Sequence, residues 1–354
     1  MWAAACAGFK LNKGGPPVAK GRFVGKGKSW IAGLAVSGAA LIITFWGVQP
    51  QRVLQVISRA DALYMIPAGF MIFLGLLARA RSWHVLMAER APYRRVFWAL
   101  NEGYLLNNVL PLRLGEIGRA YAVSQGQPVS TAAALATVVV ERLIDVAVSL
   151  AGLTFAISAM AAPAWAGQII QVAAGVLVGL LLISGVLVLS KGNIMRLVDI
   201  LPGAGWAKML KTVDDFAQGL SEASRPTRLL RSGGWSLLAW VTAWVSLDLM
   251  IRMFGMSSSP VILVFVTGVT AFGAALPSSP GAVGVYELST VAALLVFGYP
   301  QAMAVGLAIL AHALSLIITG GLGAIGLARE GRTIMGLASQ AQRFFKHSQE
   351  TLAV

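Results

Sequence analysis

The sequence predicts an all-α integral membrane protein with six spanning helices and two re-entrant helical hairpins, arranged as an inverted repeat. Three observations carry this expectation. Hydrophobic residues make up 57% of the 354 positions and charged residues 12%, against about 45–50% and about 25% in soluble domains. The apolar residues gather in runs long enough to cross a bilayer. Two further apolar segments are short, and each is broken by Pro and Gly at a corresponding place in one half of the chain.

Residues 1–28 mix Gly and Pro with Lys10, Lys13, Lys20, Arg22, Lys26 and Lys28 and show no helical period, so they read as a basic, disordered cytoplasmic tail. A cleavable leader needs a short basic start, a short apolar stretch and a small-residue cleavage site; here the basic stretch runs into a full-length span. Gly27-Lys28-Ser29 resembles the end of a phosphate-binding loop. Arg22 stands where that motif needs its first Gly, and no strand precedes it, so nucleotide binding is not expected.

Residues 29–328 read as one transmembrane domain with halves at about 29–160 and 164–328. Trp30–Val48 offers 19 residues without a charge, about 28 Å of helix. Ala62–Ala78 is the second span, followed by Arg79, Arg81, Arg90, Arg94 and Arg95. The third, Val129–Ala159, carries Glu141-Arg142-Leu143-Ile144-Asp145. Ala164–Leu189 is the fourth, Trp235–Phe254 the fifth, with Asp248 and Arg252 near its end, and Pro300–Ala328 the sixth. Pro300 suits a first helical turn.

The hairpins fall between these spans. The first runs over Val96–Leu110, breaks at Leu110-Pro111-Leu112-Arg113-Leu114-Gly115-Glu116 and continues as a short polar stretch to Ser124. The second runs over Pro260–Leu276, breaks at Pro277-Ser278-Ser279-Pro280-Gly281 and continues over Val283–Phe297. Such arms are short for a hydrocarbon core of about 30 Å. Irregular backbone is tolerated at that depth only where protein buries it or where it lines a wet cavity. The cytoplasmic loop 190–232 contains an amphipathic helix, with Trp206, Leu210, Val213, Phe216 and Leu220 on one face. It lies either in the interface plane or against the ends of the bundle. Residues 329–354 read as a second cytoplasmic tail.

Charge orders the topology. With the N-terminus inside and each hairpin returning to its side of entry, the cytoplasmic segments hold 22 Lys and Arg, and the opposite face holds Arg52, Arg59 and Arg252. That asymmetry is a strong positive-inside signal. The net charge of +14 therefore marks membrane orientation, and nucleic acid is not an expected partner. Both breaks read Leu-Pro-x-x-x-Gly, and the two halves run in opposite senses, which is the pattern of alternating-access transporters. Cys6 is the single cysteine, which excludes an intramolecular disulfide and a Cys-based zinc site. His84, His312 and His347 stand far apart with no ligand spacing. No resident metal or cofactor is expected.

Charge inside the membrane is the most informative feature. Arg113, Arg119 and Arg142 facing lipid would together cost roughly 8–10 kcal/mol. They are expected to face the interior and meet Glu102, Glu116, Glu141, Asp145, Asp248 or Glu287. Arg142 and Asp145 are three residues apart on one helix and can pair, with Arg142 balancing Asp145 or Glu141. Glu141 is then open to a hairpin arginine. Arg also matches phosphate geometry through its planar fork, and the helix N-termini after each break, near Glu116 and Val283, would add partial positive charge.

At these residues the chain resembles a known family. Asn107-Asn108-Val109-Leu110-Pro111-Leu112-Arg113-Leu114-Gly115-Glu116-Ile117-Gly118-Arg119, then Glu141-Arg142-Leu143-Ile144-Asp145, then Leu276-Pro277-Ser278-Ser279-Pro280-Gly281-Ala282-Val283-Gly284-Val285-Tyr286-Glu287 are similar to the flippase-like family whose type member is the transmembrane region of lysylphosphatidylglycerol synthase. The resemblance covers about residues 29–328. It implies an inner-membrane protein, both termini cytoplasmic, that moves or helps handle an anionic or isoprenoid-type lipid, with motif positions at Arg113, Glu116, Arg119, Glu141, Arg142, Asp145 and Glu287. Neither the additional membrane helices nor the soluble aminoacyl-transfer domain of the two-part synthase is seen in this chain, so aminoacylation of lipid is not carried over.

Three functions follow as expectations. The first is a lipid translocase, in which Arg113 and Arg119 hold a phosphate while Glu116, Glu141 or Glu287 exchange partners or protons. The second is a membrane-embedded enzyme acting on a lipid phosphate, for which no nucleophile–base pair is found. The third is a non-transporting accessory protein of an envelope-lipid pathway. The expected partners are a membrane phospholipid or lipid-linked substrate and, beside it, a second copy or a lipid-biosynthesis protein.

Overall fold

The computed structural model describes residues 27–110, 113–160, 204–276 and 278–340, with positions 168, 171, 174, 175, 178 and 179. The N-terminal tail, Cys6, Pro111, Leu112, Pro277, most of Ala164–Leu189, the start of loop 190–232 and His347 lie outside the described residues. Among the described residues the regular structure is helical, with no strand.

Helix α1 (Gly27–Phe45) ends at Gly47, whose φ of 72° turns the chain sharply. The helix has the 19 residues of the expected span but starts and ends three positions before it. A separate α2 (Pro50–Ser58) follows at 77° to it, started by Pro50 and burying Val53. Asp61 accepts from the Leu63 N–H and opens a 3₁₀ turn that runs into α3 (Met65–Leu86). That helix continues past Ala78, the expected end of the span, through Arg79 and Arg81 of the basic cluster.

Helices α4 (Tyr93–Val109) and α5 (Gly115–Ser124) form the first hairpin. Gly103 and Gly115 meet where the arms cross, and a Cβ on either would strike the carbonyl of the other. Ser130 caps α6 (Thr131–Ser158), which runs unbroken through the charged stretch at Glu141 to Asp145. Helix α7 (Ala204–Ala223) is the amphipathic helix. Leu220 and Ala223 pack on Ala136 and Val140 of α6 and Leu86 of α3, so its apolar face meets the bundle. Helix α8 (Pro226–Arg252) begins nine residues before the expected Trp235.

The second hairpin is α9 (Pro260–Ala275) and α10 (Val285–Val296), joined by a 3₁₀ turn at Pro280–Ala282. Helix α11 (Gln301–Arg329) has Pro300 at its N-cap, one position before the first turn. Residues 334–340 form another helical stretch. Its Leu337 is buried with Leu100 and Leu106 of α4, so this part of the expected polar tail packs on the first hairpin.

Among the described residues three stretches are long and apolar enough to cross a membrane: Ala62–Leu86, Pro226–Arg252 and Gln301–Arg329; α1 with α2 would make a fourth if that bent pair is one span. The six expected spans are not all found among the described residues, which leave out most of Ala164–Leu189. One reason is that α6 is long but carries Glu141, Arg142 and Asp145. The packing partners form a regular pattern. Helix α3 lies along α8; α4 packs on α11 as α9 packs on α6; α5 packs on α6 as α10 packs on α11. Two larger apolar cores result, one around each hairpin, with a smaller one under α7.

Candidate functional site: a charge chain and a cavity between two hairpins

Arg119 on α5 is the centre of the first cluster, 2% exposed. Its Nη1 donates to Glu141 Oε2 at 2.9 Å and its Nε to Glu116 Oε2 at 2.8 Å. The guanidinium lies 4.7 Å from the centre of the Trp83 ring on α3. Arg142 Nη2 donates to the other Glu141 oxygen at 3.0 Å, and its Nη1 is 3.4 Å from Asp145 Oδ2. Asp145 also accepts from Arg79 Nη1 at 2.8 Å and from Ser236 Oγ on α8 at 3.0 Å. Glu116, Arg119, Glu141, Arg142, Asp145 and Arg79 thus make a continuous chain of alternating sign. Three arginines balance three carboxylates, which is how a low-dielectric interior tolerates ions.

Arg113 stands outside that balance. It has φ of 52°, the left-handed region that a non-Gly residue adopts only under constraint. Its side chain reaches across to the second hairpin, where Nη2 donates to the carbonyl of Ala274 near the end of α9. Among the described residues it forms no ion pair.

The second cluster is separate. Glu287, in the first turn of α10, accepts the Gly284 N–H through Oε2 at 2.6 Å and meets His312 Nδ1 through Oε1 at 2.6 Å. His312 Nε2 faces the Gly281 carbonyl at 2.9 Å, and the Tyr286 ring stacks on the imidazole at 4.2 Å. Glu287 therefore pairs with a histidine, not with a hairpin arginine. Glu102 pairs with Arg332, and Asp248 with Arg252 and Ser258; neither joins Arg113, Arg119 or Arg142.

A cavity of about 530 Å³ lies between the two hairpins. Arg79, Arg113, Arg142 and Asp145 line one part, Tyr286 and His312 another, with an apolar wall that includes Leu76, Leu247 and Phe272. Arg142 is 37% exposed along its side chain, so it faces the cavity while it pairs. Glu116, Arg119, Glu141 and Glu287 sit behind the wall. Of the break residues, Gly281 faces the cavity, Pro280 begins the 3₁₀ turn and Gly115 is buried between the hairpin arms. The helix starts after the breaks are capped from within: Asn107 Oδ1 accepts the Gly115 N–H at 2.8 Å, and Glu287 takes that of Gly284. Those two N–H groups are not free for an anion.

The sequence reading missed Arg79 and His312. Arg79 was counted with the basic cluster because the apolar run ends at Ala78. A histidine inside an otherwise apolar helix was the available signal for His312, since an ionisable group at such a place is functional by default. Among the described residues no group of three or more His, Cys, Asp or Glu side chains is placed to hold a metal ion.

Comparison with known proteins gives two results. Residues 30–323 match the family described as the lysylphosphatidylglycerol synthase TM region. The curated relative Glycosyltransferase AglD of Haloferax volcanii is 25% identical over 335 residues, which cover 83% of this chain and 54% of the relative. The chain thus spans about half the length of the curated relative it matches. No solved structure matches.

Proposed function

The chain belongs to the family of the lysylphosphatidylglycerol synthase transmembrane region, and on that premise we propose that it is a lipid translocase moving an anionic or lipid-linked substrate between membrane leaflets. The observation that carries the reading is Arg113. The neighbouring ions neutralise one another, which leaves one guanidinium in surplus on the wall of a cavity large enough for a headgroup. A phosphate would complete the balance and accept the planar fork in a bidentate way. Arg142, already turned to the cavity, is a second contact, and the lipid tails would stay in the bilayer. Arg119, buried behind the wall, holds Glu116 and Glu141 in place instead of touching the phosphate.

The membrane arrangement proposed with this function has six crossing helices, two re-entrant hairpins and an inverted repeat, with both termini cytoplasmic in the inner membrane. The exchange of packing partners between halves supports the repeat: what α4 does with α11, α9 does with α6. The distribution of Lys and Arg supports the orientation. The alternative of an enzyme draws support from the name of a relative, a glycosyltransferase, of which the chain spans about half.

Reconstitution tests the reading. Liposomes containing the purified chain should move a fluorescent anionic phospholipid or a polyprenyl phosphate between leaflets faster than empty liposomes. Arg113→Lys should fold, because an ammonium can still donate to Ala274, yet lose at least tenfold in rate because it lacks the fork. Wild-type rates in Arg113→Lys would leave Arg113 as a tie between hairpins; no movement by the native chain would overturn the function.

A further inference from the structure

The contacts of His312 specify a number of protons. Its ring is 5% exposed, with Nδ1 facing Glu287 Oε1 at 2.6 Å and Nε2 facing the Gly281 carbonyl at 2.9 Å. A carbonyl only accepts, and a neutral imidazole carries a single N–H. Satisfying both contacts needs one proton on Nε2 and another between Nδ1 and Oε1. An imidazolium with a carboxylate supplies them, and so does a neutral Nε2–H ring with a carboxylic acid. Both arrangements are neutral as a pair. Removing one proton leaves a buried negative charge. The remaining proton is held more strongly on Nδ1 by the Glu287 carboxylate than on Nε2 by a carbonyl. This sets the Nε2 lone pair against the Gly281 oxygen, an arrangement that a low-dielectric interior penalises.

The same contacts hold the tip of the second hairpin. His312 on α11 binds the carbonyl of Gly281, and Glu287 binds the N–H of Gly284. Between them the backbone is left-handed at Gly281, Ala282 and Gly284, with φ of 67°, 56° and 89°. Ala282 is the strained member, because its Cβ disfavours that region. A strained tip tied down by two hydrogen bonds moves once the tie is lost. Around the pair, α10 contributes Glu287 and Tyr286; the cavity brings Tyr104 of α4, Arg79 of α3, Arg142 and Asp145 of α6, and Arg113 from the first break. Helix α9 has no titratable side chain, and Arg52 of α2 lines a different pocket, beside Pro300.

We propose that His312 and Glu287 form a proton-binding site that latches the tip of the second hairpin to α11 when occupied and frees it when empty. The inference goes beyond lipid movement and stands whether or not a lipid is carried. The bound species is a proton, delivered from water through the cavity that His312 lines.

The full chain in lipid nanodiscs, labelled with ¹⁵N-histidine, tests the site directly. The ring signals lost in His312→Asn identify the residue. Nε2 is expected to carry a proton at the acidic end of a pH titration and to be bare at its alkaline end. A spin label at Ser278→Cys, in a Cys6→Ser background, should gain mobility reversibly over the same interval. In Glu287→Gln the amide donates to Nδ1 and its oxygen still takes the Gly284 N–H, so the label should stay immobile at every pH. In His312→Asn it should be mobile throughout. A bare Nε2 at all pH values, a ring that keeps both protons across the interval, or an unchanged transition in Glu287→Gln would each overturn the proposal.

Discussion

At the scale of single residues, the charge chain separates two arginines that the sequence places side by side in role. Arg119 is enclosed by Glu116, Glu141 and the Trp83 ring. Arg119→Gln takes a cation from the buried Glu141 and leaves the half-buried Glu116 without its ion-pair partner, which costs about 3–5 kcal/mol. Arg142 was expected to balance Asp145 or Glu141, yet each of those has another cation: Arg79 for Asp145 and Arg119 for Glu141. With its side chain partly open to the cavity, Arg142→Gln should cost only about 1 kcal/mol, the scale of an accessible pair. Thermal unfolding of the purified variants should rank Arg119→Gln well below Arg142→Gln, while both lose lipid movement. Equal midpoints would mean that the chain of charges shares its load evenly. The pairings of Arg142 with Asp145 and of Glu141 with a hairpin arginine were legible, because helical spacing and an unmatched carboxylate define them. Arg79 was not, since hydropathy marks where an apolar run stops and not where the helix does.

At the scale of elements, both hairpins were legible from short apolar arms around Pro and Gly, and the structure places a helix on each side of each break. The shared Leu-Pro-x-x-x-Gly spelling conceals two uses of its glycine. Gly115 is needed for closeness, because a Cβ there strikes the Gly103 carbonyl and the Asn107 side chain. Gly281 is needed for its φ of 67°, with the nearest neighbour of a Cβ at 3.5 Å. Asn separates the two causes, as it tolerates the left-handed region but not a collision. Gly281→Asn should fold with a loss of about 1 kcal/mol, whereas Gly115→Asn should give little monodisperse protein on size exclusion. Comparable yields would show that the arms of the first hairpin can part without harm. Helix α2 went unread because its nine residues mix Arg52 and Gln with apolar positions, below the length at which period is decisive.

At the scale of the whole molecule, the segment after α11 ties the end of that helix to the first hairpin. Glu102 of α4 is 0% exposed, and Arg332 Nη1 donates to its Oε2 at 2.9 Å across 230 positions of chain. Beside them Arg95 pairs with Glu330 at 2.8 Å, and Arg95 and Arg332 both donate to the Ala122 carbonyl. Leu337 then closes over Leu100 and Leu106. A polar-looking tail gives no sequence signal for such a clasp, because its partner is a single carboxylate in a distant apolar helix. Arg332→Gln should lower stability by about 3–5 kcal/mol, since it leaves Glu102 charged, buried and without its partner. Glu102→Gln combined with Arg332→Gln should recover most of that loss, because two amides can hydrogen-bond without a desolvated charge. Thermal midpoints of the native chain, the single variant and the double variant decide it. A single variant as stable as the native chain would mean that water reaches Glu102. A double variant as weak as the single would mean that Arg332 works through Glu330 and Ala122, so that the clasp belongs to the loop and not to the buried carboxylate.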